Sequence, residues 1–137
     1  MTVDEKDPGN GDGGIITKSS PWSVADTVAR LEAAIAAKEI KLFAVIDQRR
    51  EAEAVGLEMP DTTLVIFGSP QAGTPVMVSA PLAALDLPLK VLVWDDGGQT
   101  KVSYTAPSEI SARYQPKDDL AARLAGINAL TDAAVAG

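Results

Sequence analysis

Apolar residues recur along this chain with two periods, and each predicts a different kind of element. Val24, Val28, Leu31 and Ile35 are spaced by four, three and four, the stripe of an amphipathic helix ending near Lys38. Ser23 supplies its N-cap, and Asp26 completes an acidic variant of the capping box. Leu42 to Ile46, Thr63 to Phe67 and Leu89 to Trp94 are apolar at both parities, as strands are when both faces are covered. Ile15 to Lys18 reads as a first short strand, and Arg49 to Val55 as a short helix closed by Gly56. Thr74-Pro75 predicts an N-cap and first-turn proline for a helix running to about Ala80, where Pro81 limits it. Pro107 opens a short helix to Tyr114. Asp118 or Asp119 starts a last one, with Leu120, Leu124, Ile127 and Leu130 as its stripe.

Asp95-Asp96-Gly97-Gly98, between Leu89–Trp94 and Thr100–Thr105, is a hairpin signal. With Asp96-Gly97 or Gly97-Gly98 as the turn, strand parity puts Val91, Val93, Val102 and Tyr104 on one face. Lys90, Leu92, Trp94, Lys101 and Ser103 then share the other. Leu92 and Trp94 are therefore candidate interface residues, to be covered by a helix, the C-terminal segment or another subunit. If the helices lie on one side only, the bare face predicts a homodimer.

Composition sharpens this mainly by exclusion. The 137 residues suit one domain, with residues 1–14 as a disordered tail and 15–137 as a single α+β unit. The tail contains Gly9-x-Gly11-x-x-Gly14, but no strand precedes it and Ile15-Ile16-Thr17 follows, so the dinucleotide reading fails. A net charge of −7 argues against nucleic acid and anionic membranes as partners. With no His and no Cys, neither a metal centre nor a cofactor is expected, and carboxylate, hydroxyl, lysine, arginine or backbone chemistry remains. No secretory signal or membrane-spanning stretch is recognisable, which makes the cytoplasm the default location.

Five ordered blocks carry a resemblance. Phe43-Ala44-Val45-Ile46-Asp47, Leu64-Val65-Ile66-Phe67-Gly68-Ser69-Pro70, Ala72-Gly73-Thr74-Pro75-x-Met77, Asp86-Leu87-Pro88-Leu89-Lys90 and Leu92-Val93-Trp94-Asp95 together resemble the domain-of-unknown-function family 302, over about residues 15–115. The resemblance implies an antiparallel-rich α+β fold of the β-α-β-β-β-β-α kind, a four- to five-stranded sheet packed with helices, and no settled activity. The family often has His after the Asp that ends the second strand. Here that position is Gln48, so a mechanism resting on that imidazole does not carry over.

Three places could carry chemistry. The loop Gly68-Ser69-Pro70-Gln71-Ala72-Gly73-Thr74 runs from a strand end to a helix start, where free N–H groups could hold a small anion; as a plain turn it would need no ligand. Asp47 and Gln48 end an apolar strand, where Asp47 could act as a base or simply satisfy backbone donors. Lys90 interrupts an apolar strand, as a nucleophile or anion partner, or as an edge-strand lysine that blocks aggregation. Asp95-Asp96 is explained by its turn, because a calcium loop would need a closing Glu. A non-catalytic binding or interaction module is the leading expectation. The alternative is an enzyme acting on a small anionic substrate held at Gly73-Thr74.

Overall fold

The alternation of apolar side chains in the strands is resolved by a two-layer arrangement with every core-forming helix on one side. The computed structural model describes residues 13–118 and 120–137. Five strands, β1 (Ile15–Ser20), β2 (Lys41–Asp47), β3 (Thr62–Gly68), β4 (Leu89–Asp96) and β5 (Gln99–Thr105), form one antiparallel sheet in the order β1-β5-β4-β3-β2. The helices are α1 (Val24–Ala37), α2 (Gln48–Ala54), α3 (Pro70–Ser79), α4 (Pro107–Tyr114) and α5 (Gly126–Val135). Short 3-10 turns cover Pro81–Leu85 and Leu120–Leu124. The expected α+β class and element order hold. Of the expected tail, residues 1–12, with Gly9 and Gly11, lie outside the described residues. Gly14 is buried, and its carbonyl accepts from the Ala106 N–H at 2.7 Å. It adopts φ +86°, a conformation that favours glycine, and a Cβ there would lie 2.5 Å from Glu109 Oε1 and displace that side chain.

The α1 stripe behaves as its period demands. Val24, Val28, Leu31 and Ile35 are buried, and Ser23 Oγ accepts from the Asp26 N–H. They meet Val65, Phe67, Val91, Val93 and Val102, which the strand registers place on one face of the sheet. Thr27, facing the same layer, is satisfied by Ser20 Oγ at 2.7 Å. α5 lies beside α1 and is tied at its C-terminus: Arg30 donates to the Ala133, Ala134 and Ala136 carbonyls, and Trp22 Nε1 donates to Ala136. The last carbonyls of a helix have no partners within it, and these side chains supply them.

Residues of opposite parity remain on an uncovered face. Ala44, Ile46, Leu64, Ile66, Leu92 and Trp94 are each only partly buried, and none packs into the helical core. The hairpin closes at Gly97-Gly98, both at positive φ, with Leu92 opposite Ser103 and Trp94 opposite Lys101. The face expected to carry Trp94 is therefore the one the helices leave bare.

Three local expectations need correction. α3 begins at Pro70, one turn before Thr74-Pro75, and Pro75 lies inside the helix. Ser69-Pro70 and Thr74-Pro75 are equivalent start signals; the earlier start buries Val76 and turns Gly73 and Met77 toward the interior. The last helix is split, with the Leu120–Leu124 turn preceding α5. Its buried positions Ala121, Leu124, Ile127 and Leu130 recur every three residues, a period that a 3-10 turn aligns better than an α-helix. Finally, Lys90 lies on β4, the central strand, so the edge-strand explanation for it fails. The edges are β1 and β2, and β2 carries a register shift between Leu42 and Ala44. A bulge of this kind blunts an edge against unwanted pairing.

Candidate functional site

Where β3 ends, the chain turns into α3 and leaves a gap that the last helical segment does not close. The result is a cavity of about 350 Å³. Its floor is Phe67 and Leu89 from the sheet, with Met77 from α3 on one side and Leu124, Ile127 and Leu130 on the other. Ile40, Phe43, Leu87 and Pro88 extend the apolar wall, and Arg123 is the one charged residue among the described residues that line it. Two glycines shape the space. A Cβ on Gly68 would lie 3.4 Å from Pro88 Cβ and 3.8 Å from the Phe43 ring, so the β3 end sits close against both. A Cβ on Gly73 would meet only Met77 Cε, at 3.9 Å; glycine there leaves volume open.

Of the expected site residues, Gly68, Ser69, Gly73 and Thr74 line this cavity. Its chemistry is not that of an anion cradle built from free N–H groups. The Ala72 and Gly73 N–H groups both bond to the Ser69 carbonyl, at 3.0 and 2.8 Å, and Thr74 lies within the helix. Asp47 and Gln48 lie elsewhere. Gly68 pairs with Lys41 at one end of β2, whereas Asp47 pairs with Thr63 at the other. Six residues of strand, about 20 Å, separate them. Asp47 Oδ1 accepts from the Arg50 N–H at 3.0 Å as the N-cap of α2, and Gln48 is that helix's first residue. Lys90 lies on the bare face, where Nζ donates to the Pro88 carbonyl at 3.2 Å. The structure thus separates Asp47 and Gln48 from the cavity, whereas Lys90 stands beside the Pro88 end of its wall. Asp95 Oδ1 accepts from the Gly98 N–H at 2.7 Å, and no group of three or more His, Cys, Asp or Glu that could hold a metal occurs among the described residues.

Sequence reasoning missed Phe43, Leu87 and Arg123 as cavity residues. Phe43 and Leu87 fall within family blocks and were legible only as such. Arg123 had a usable signal, a cation directly beside the stripe residue Leu124.

Next to the cavity wall, the Asp86 carboxylate accepts from Tyr114 Oη and from Arg113 Nη1, the latter at 2.8 Å. The Tyr114 hydrogen bond, followed by Arg113, holds Asp86 below its ordinary carboxylate range, and the same bond holds the Tyr114 phenol above its usual value. The signs follow from linkage. Asp86 stabilises the fold fully above its unfolded value of about 3.9, and that contribution is lost as pH falls through the lowered folded value. Tyr114 contributes below its unfolded value of about 10 and loses that contribution as pH rises through the raised folded one. Tyr114→Phe is expected to return the Asp86 titration toward the ordinary range, read by carboxyl-carbon NMR, and to remove the alkaline component from a Tm–pH profile. An unchanged Asp86 titration would disprove this linkage.

Residues 16–134 match the family described as "Domain of unknown function DUF302". The chain is 36% identical over 104 residues to "Fluoride-specific ion channel FluC 1" of Brucella suis, spanning 75% of this chain and 41% of that protein. It matches the Brucella abortus protein of the same name at the same identity, over 38% of that protein's length. This chain therefore spans about two-fifths of the length of these curated relatives. No helix among its described residues is long and apolar enough to cross a membrane. A crystal structure of an uncharacterized conserved DUF302 protein from Bacillus stearothermophilus has the same fold, with a TM-score of 0.74 at 19% identity, over 88% of this chain and 94% of that one.

Proposed function

The chain belongs to the DUF302 family, and from that premise we propose that it is a non-catalytic module that binds a small apolar ligand in the cavity between β3, α3 and α5. The observation that carries this reading is the cavity itself. Its volume of about 350 Å³ lies within the usual range for small-molecule sites, and its lining is apolar apart from a few groups around Ser69, Thr74 and Arg123. Recurrence as about two-fifths of longer chains suits a unit that binds on behalf of another part.

The test is titration with the small neutral fluorescent probe 1-naphthylamine, whose size suits the cavity volume. A saturable rise in emission with one site is expected. Gly73→Leu should abolish it by filling the space that glycine leaves open, while Gly73→Ala, whose added carbon meets only Met77 Cε, should retain it. Leucine is the better helix former, so the variant should not melt earlier than the parent. Undiminished binding by Gly73→Leu would sink the cavity reading.

The bare sheet face supports a second element of the proposal, self-association of two copies. Five strands about 4.8 Å apart and some six residues long present roughly 500 Å² in plan, so two copies would bury about 1,000 Å², the lower bound for a specific interface. A second copy suits the charge as well. On a chain of net charge −7, this face carries Lys90 and Lys101 among its apolar residues, with Asp96 near its hairpin end paired to Lys101 at 3.6 Å. Face-to-face packing would therefore bury few acids against one another.

A further inference from the structure

The distribution of charge around the cavity defines its ligand more narrowly than its apolar walls do. Acidic residues outnumber basic ones by 19 to 12 along the chain, yet among the described residues no carboxylate lines this space. The one charged residue among the described residues that line it is Arg123, exposed on the turn before α5. A second cation stands near the rim: Lys41 Nζ lies 5.4 Å from the ring centroid of Phe43, itself a lining residue. Ser69 and Thr74 add hydroxyl-bearing side chains to a lining that is otherwise hydrocarbon or backbone.

We infer that the cavity takes an amphipathic monoanion, with an apolar tail in the space between Phe67, Met77 and Ile127 and a carboxylate-type head at Arg123. This rests on the cavity reading above and adds the head group to it. At roughly 30 Å³ per water-sized group, 350 Å³ accommodates about ten non-hydrogen atoms once packing is allowed for. A planar guanidinium matches a carboxylate with two parallel hydrogen bonds, and its position at the mouth spares the head the cost of burial.

Calorimetric titration with octanoate, octanol and octylammonium separates head from tail. Octanoate should bind about tenfold more tightly than octanol, as expected of a charge-assisted pair in a partly exposed setting, and octylammonium most weakly. Arg123→Gln should bring octanoate to the level of octanol, and Arg123→Lys should retain most of the preference. Added salt should narrow the gap, because Arg123 is exposed. Equal binding of octanoate and octanol, or a preference unchanged in Arg123→Gln, would overturn the head-group assignment while leaving the cavity reading intact. Failure of all three probes together with 1-naphthylamine would overturn both.

Discussion

Phe67→Ala is expected to lower the unfolding free energy by about 3–5 kcal/mol, the range for truncating a buried aromatic side chain. Phe67 is 1% exposed and sits at the end of β3, opposite Leu89 and Leu42. It belongs to the same apolar cluster as Val76 of α3 and Ile127 of α5, so it is where sheet and both helices meet. It also forms part of the cavity floor, which gives the substitution a second consequence. The vacated volume adjoins space already open, so the surrounding chain gains little by collapsing inward, and the cost should fall toward the upper end of that range. Urea unfolding should show a reduced midpoint with an unchanged slope. Phe67→Leu, which removes less volume, should cost less than half as much. A loss under about 1 kcal/mol for the alanine variant would mean that the ring is not packed between the layers.

How far the sequence foretold this depends on the physics behind each element. α1 was legible because three independent signals agree: a capping serine, an acidic first turn and a stripe of period 3.6. The β4–β5 hairpin was legible in its facing, since both candidate turns give the same side-chain parity; the register, set by Gly97-Gly98 as the turn, was left open between the two. The start of α3 was not legible, because Ser69-Pro70 and Thr74-Pro75 carry the same local signal and the choice depends on burying Val76 against distant strands. Lys90 shows the same limit from the other side. Whether β4 is central or at an edge depends on strand order, which one strand's composition does not encode. The candidate site was half visible for this reason. Gly68, Ser69, Gly73 and Thr74 share a loop and a helix start and arrive together, whereas Arg123 reaches the same cavity only because the distant Leu120–Leu124 turn packs against α3.

At micromolar concentration the protein is expected to elute as a dimer by light scattering after gel filtration, and Ile66→Lys combined with Leu92→Lys should convert it to a monomer. Both residues lie on the bare face on neighbouring central strands, with Ile66 opposite Lys90 and Leu92 opposite Leu64. Each is already partly exposed, so lysine at either position can extend its head into water and should cost the isolated fold little. Lysine is the informative choice. The face already holds Lys90 and Lys101, so further positive charge opposes docking of a second copy, whereas glutamate would create pairs that favour it. Two further readings belong to the interface alone. The Tm of the parent should rise with protein concentration, while that of the double variant should not. Trp94, whose indole donates to Ser103 Oγ at 2.9 Å on this face, should emit at shorter wavelength in the parent at high concentration than on dilution. A parent that is monomeric at micromolar concentration, with concentration-independent melting, would remove self-association from the proposal and leave the cavity untouched, because Ile66, Leu92 and Trp94 contribute nothing to its walls.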